Sequence, residues 1–124
     1  MTHELDGTYF VSSTSNYDGL AERKSDGETE IRQSQTERRD KNNVLWTSVF
    51  TVLGDTEVEM ASTADATDAP ADFYLTKPDG SPTRQPVTYK SILKLARKGD
   101  KIQMSGQIEY GNEIVFLTLR KTGP

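Results

Sequence analysis

The chain has 124 residues, a formal net charge of -4 and no cysteine, which fits one domain without disulfide, thiolate-metal or cysteine-nucleophile chemistry. One histidine, His3, leaves no histidine triad and no multi-histidine metal site. Leu, Ile, Val and Phe supply 25 residues, enough for a compact core but not a large one.

The opening stretch, MTHELDGTYF, has no basic segment followed by an apolar run. The longest apolar run, residues 114–117, is far short of a membrane helix. The expectation is a soluble, cytoplasmic protein with no membrane association. The acidic balance argues against nucleic acid as a partner, because neutralising phosphates takes a surplus of Lys and Arg.

Turn residues punctuate the chain at 16–19, 25–27, 40–43, 54–55, 78–82, 99–100 and 111–112. Between them lie runs rich in Thr, Val, Ile, Tyr and Phe. Strands are expected at 7–13, 20–24, 28–38, 44–53, 56–63, 73–77, 87–95, 101–110 and 113–121. The run 28–38 is polar on both faces, with Ile31 its one strongly apolar residue. It reads either as an arm projecting into water or as a strand lining a polar interior or a partner surface. The run 44–53 is fairly apolar on both faces and should be central or lie against a second layer. Residues 61–71, ASTADATDAPA, read as one long surface loop. In 87–98, Val87, Tyr89, Leu93 and Leu95 fit a strand, while Tyr89, Ile92, Leu93 and Ala96 fit one short helix near 88–98. The strand is favoured because its neighbours are strands. In 101–110, Ile102, Met104 and Ile108 alternate with polar residues, as in a half-buried strand.

Short strands at such spacing indicate an all-β domain: an antiparallel meander barrel of about eight strands, or a strongly curved sandwich. The opening Gly7, Tyr9 and Phe10 and the closing hairpin resemble small lipocalin-like barrels, compact bacterial negative regulators of type III secretion among them. That hairpin is carried by GDKIQMSG at 99–106 and by GNEIVFLTL at 111–119. The chain differs from the secreted lipocalins in lacking their G-x-W tryptophan and their cysteines. What the resemblance implies is architecture and a binding role, with no site residue to carry over.

No residue pattern points to catalysis, to a cofactor or to a metal. Asp65, Asp68 and Asp72 lack the spacing of a calcium loop. Glu57 and Glu59 share one strand face, but that face points outward if Val58 and Met60 point inward. The expectation is a non-enzymatic module that recognises another protein or itself. The alternatives are a structural accessory subunit, such as a viral decoration protein, and a carrier of a small apolar ligand. Tyr9, Trp46, Phe50, Phe73 and Phe116 are the candidate ligand-binding walls. Arg32, Arg38, Arg39, Asp65, Asp68 and Asp72 are the candidate partner contacts.

Overall fold

The computed structural model describes residues 4–17, 22–40, 42–110 and 113–124. Its elements are β1 (Gly7–Tyr17), β2 (Glu22–Ile31), β3 (Gln35–Arg39), β4 (Leu45–Val52), β5 (Glu57–Asp65), β6 (Leu75–Thr76), β7 (Pro82–Thr83), β8 (Val87–Lys98), β9 (Lys101–Tyr110) and β10 (Glu113–Gly123). Eight of them form one antiparallel sheet in the order β2-β1-β10-β9-β8-β5-β4-β3. The edge strands β2 and β3 are consecutive in the chain, so the sheet curls until its two edges meet. It is an eight-stranded, nearly closed antiparallel barrel. No helix occurs among the described residues. The remaining pair, β6 and β7, forms a small hairpin in the connection from β5 to β8.

Several local expectations are corrected. The segment 28–38 is two strands, broken by a tight turn in which Arg32 and Gln35 exchange backbone hydrogen bonds of 2.9 and 3.0 Å. Gln33 and Ser34 at its centre have φ of 52° and 64°, the pair of left-handed residues that a type I′ hairpin requires. Neither is glycine. The cost is offset by Asp6, whose carboxylate accepts the Gln33 and Ser34 N–H groups at 2.7 and 2.9 Å. With the reversal placed there, no turn forms at 25–27; β2 runs straight through and sets Gly27 opposite Val11. β1 likewise continues through Asn16 and Tyr17. The remainder of that expected turn, the start of the 20–24 strand, Lys41 and the 111–112 turn lie outside the described residues.

Residues 61–71 are not one surface loop. β5 extends to Asp65, and Ser62, Ala64, Ala66 and Ala69 are buried. The alternation is there, but in residues too small to register as a core pattern. The expected strand at 73–77 shrinks to the two residues of β6. The helical alternative at 88–98 fails because β5 and β9 flank this segment and take up its backbone groups, while Val87, Tyr89, Leu93 and Leu95 turn inward.

One end of the barrel is packed solid. Tyr9, Ile31, Val58, Leu93, Leu95 and Ile102 meet there, and Leu5 plugs it from the chain's first described turn. The Tyr9 hydroxyl donates to the Leu5 carbonyl at 2.7 Å. Burial first, then the nearby charges of Asp6 and Glu4, push its pKa up to about 12. Arg97 clamps the plug from outside, bonding both oxygens of Glu4 at 3.0 and 2.9 Å and the Asp55 carbonyl at 2.9 Å. Gly106 on β9 leaves space for Leu93: a Cβ there would lie 2.6 Å from Leu93 Cδ2.

Two outcomes are expected. Gly106→Val should cost about 1–3 kcal/mol in urea unfolding, and Leu93→Ala in the same chain should recover part of that loss. Asp6→Ala should cost about 1–3 kcal/mol by leaving two turn N–H groups unmatched. In a chain whose Gln33-Ser34 is replaced by Asn-Gly, the same Asp6→Ala change should cost clearly less, because the turn then holds itself.

Candidate ligand site inside the barrel

The opposite end is hollow. Inward positions there are Ser13 on β1, Gly27 and Thr29 on β2, Thr36 on β3, and Trp46, Ser48 and Phe50 on β4. Met60 and Ser62 on β5 face Tyr89 on β8 and Val115, Leu117 and Leu119 on β10. Together they enclose a cavity of about 870 Å³. Its floor is the buried set Phe50, Met60 and Leu119. Its mouth is the slit where β2 and β3 part beyond their shared turn, bordered by Glu28, Glu30, Glu37 and Arg38.

Side-chain size explains the space. β4 and β5 pair so that Trp46 lies opposite Ala64 and Ser48 opposite Ser62, and Ser62 in turn is opposite Tyr89 on β8. Small residues on β5 therefore leave room for the two large rings, which stack at 6.1 Å between centroids and 26° between planes. The Ser48 and Ser62 hydroxyls bond to each other at 2.8 Å, so the buried Ser62 is satisfied.

Trp46 is anchored as well as packed. Its indole N–H donates to Asp40 Oδ2 at 3.0 Å. The other Asp40 oxygen accepts the Asn42 and Val44 backbone N–H groups at 2.8 and 3.1 Å, shaping the turn into β4. Burial alone would raise the Asp40 pKa. The Trp46, Val44 and Asn42 hydrogen bonds and the Arg38 charge outweigh that and hold it below the usual carboxylate value. The Arg38 guanidinium lies over the Trp46 ring, 5.8 Å from its centroid.

A lid crosses this end. Residues 66–86 run from β5 to β8 and bring Phe73, Tyr74, Leu75 and Thr76 against the cavity. Arg84 donates to the Pro70 and Phe73 carbonyls at 2.8 and 2.7 Å, and the Tyr89 hydroxyl donates to the Thr76 carbonyl. Tyr74 is 56% exposed even so, at the outer edge.

The structure brings together Trp46, Phe50 and Phe73 among the sequence-derived wall residues. Tyr9 sits in the packed end instead, and Phe116 is 51% exposed on the outer face. Two phenylalanines therefore differ only by strand parity. The interior is thus filled at one end and hollow at the other. Of the expected partner contacts, Arg39 pairs with Asp68 at 3.2 Å and Arg32 with Glu30, while Arg38 stands at the cavity mouth. Asp65 is occupied by the Thr67 hydroxyl and backbone N–H, which lower its pKa, and Asp72 is exposed. Glu57 and Glu59 lie on the outer face of β5. Among the described residues, no group of three His, Cys, Asp or Glu side chains is placed to hold a metal, and no helix is long and apolar enough to cross a membrane.

Sequence reasoning missed Asp40, Ser62 and the β10 wall. A signal existed for the hydroxyls: Ser48 falls on the same strand face as Trp46 and Phe50. Comparison with protein-family models, curated proteins and solved structures found no match.

Because the folded-state pKa of Asp40 is depressed, its contribution is present above the unfolded carboxyl value of about 3.9 and is lost as pH falls through the folded one. Asp40→Ala should therefore unfold more easily than the parent at pH 7, with the gap narrowing below about pH 4. Urea titrations at the two pH values measure it.

Proposed function

We propose that this chain is a non-enzymatic binding protein that holds a small, partly apolar molecule inside its barrel. The observation that carries the reading is the half-open cavity, whose volume of about 870 Å³ falls within the range of small-molecule sites. Its chemistry supports the same reading. Rings and aliphatic side chains make up half of the lining residues, and the hydroxyls of Thr29, Thr36 and Thr76 offer directional contacts. The meander order suits membership among lipocalin-like barrels, which supports the reading at the level of architecture.

The expected protein-recognition role draws less support. Its charged candidates are partly spent on one another in the Arg39–Asp68 and Arg32–Glu30 pairs. A binding barrel also needs no reactive group, and the paired carboxylates Glu57 and Glu59 lie away from the cavity.

Trp46 is the one tryptophan of the chain and stands in the cavity wall, so its emission reports occupancy directly. A neutral fluorophore, N-phenylnaphthylamine, should quench Trp46 in a saturable titration and gain emission itself. Val115→Phe, which places a ring in the cavity, should weaken that binding at least about tenfold while circular dichroism and melting stay native. Unsaturable quenching, or equal binding by the filled variant, would sink the reading.

A further inference from the structure

We infer that the molecule held in this cavity is an organic anion: a single carboxylate on an apolar body, with Arg38 as its counter-charge at the mouth. The inference rests on the proposed ligand site and adds the charge and orientation of its occupant.

Strand register places the charge. Across the β3–β4 ladder Arg38 is opposite Trp46 and Thr36 opposite Ser48, so both share the inward face with the buried Phe50. Gln35, Glu37 and Arg39 alternate with them and turn outward. The β1–β2 ladder sets Glu30 opposite Thr8 and Glu28 opposite Phe10, on the face away from the buried Tyr9. Those carboxylates turn outward too. Among the described lining residues, Arg38 is therefore the one charged side chain on the inner face.

That charge is not matched within the protein. Arg38 makes no ion pair with a described carboxylate, and its guanidinium lies against the Trp46 ring, 5.8 Å from the centroid. Asp40 feels the charge, but its oxygens are engaged, Oδ2 by the Trp46 indole and Oδ1 by the Asn42 and Val44 N–H groups. The planar fork of N–H donors is left to a ligand, and a carboxylate matches it with two parallel bonds. Thr36, the next inward residue on β3, brings a hydroxyl to the same lip. Glu28, Glu30 and Glu37 are exposed on the outer face, where water and salt screen their repulsion.

Depth fixes the orientation. Below the mouth the wall becomes apolar through Val11, Phe50, Met60 and Leu119. A charge carried down there would lose hydration without a partner. The carboxylate therefore stays at the lip and the apolar body goes inside. A cationic head would meet Arg38 as a like charge, and a phosphate ester would bring a second negative charge that one guanidinium does not balance.

Matched naphthalene probes test this: 2-naphthoate, 2-naphthylmethanol, a 2-naphthyl trimethylammonium salt and 2-naphthyl phosphate, each displacing N-phenylnaphthylamine at pH 7 and low salt. The carboxylate should bind tightest, about tenfold tighter than the ammonium, with the alcohol between them and the phosphate no tighter than the carboxylate. Arg38→Gln should remove the preference and leave the alcohol's affinity unchanged. Arg38→Lys, which keeps the charge without the fork, should retain part of it. Arg39→Gln, one residue along and facing outward, should leave the order as in the parent. Equal binding of carboxylate and ammonium, a preference that survives Arg38→Gln, or the same loss in Arg39→Gln overturns the charge assignment while leaving the cavity as a ligand site. Tighter binding of the phosphate overturns the single charge. Failure of the alcohol and N-phenylnaphthylamine to bind at all overturns both readings.

Discussion

The grip of Asp6 on the turn at Gln33 and Ser34 is the constraint on which the barrel depends. β2 and β3 are the two edges of the sheet, and among the described residues outside the named ladders only the Arg32–Gln35 bridge ties them. Two non-glycine residues with positive φ form a costly hinge. The carboxylate that steadies it comes from the segment just ahead of β1. That segment is itself held at three consecutive positions: Glu4 by Arg97, Leu5 by the core, and Asp6 by the turn. Closure of the edges and plugging of the packed end are thus one event. Ser34 extends it to the next strand, since its carbonyl accepts the Phe50 N–H at 2.8 Å.

From that hinge the two strands diverge, and the divergence decides where the hollow lies. Near the turn the interior is narrow and filled by Tyr9, Ile31 and Leu93. Away from it the strands separate, and β5 contributes serine and alanine where larger residues would meet Trp46 and Tyr89. The hollow is therefore produced by backbone spread and side-chain size acting together. Asp40 and Arg84 do for this end what Asp6 does for the other, each using one side chain to hold several groups of a turn or loop.

The all-β class and the approximate strand number were legible because turn residues and alternation speak at short range. The two-faced apolar run 44–53 misled: β4 lies beside the edge strand β3, and Val49, Val52 and Leu53 are exposed. Trp46 and Phe50 could still be named as wall residues from that short-range alternation. The Gln33-Ser34 reversal could not, because its stabilising partner lies 27 and 28 positions away in the chain. The end of β5 escaped because alanine and serine show weak hydropathy contrast although their burial alternates cleanly. Phe116 looked equivalent to Phe50 because facing is fixed by register, and register across β1 and β10 is a long-range property.

That last pairing shapes how the chain must assemble. From β3 to β10 every neighbouring strand is reached by a short connection or by the lid, so pairing spreads along the sequence. The β1–β2 hairpin is different: to lie beside β10, as Thr8 does opposite Gly123, it must close a loop of almost the whole chain. Entropy makes this the most expensive contact in the molecule, and it delivers Asp6 and Leu5 at the same moment. The last strands to dock thus carry the parts that seal the barrel, and the open meander without them would leave the inner face of β10 exposed to water.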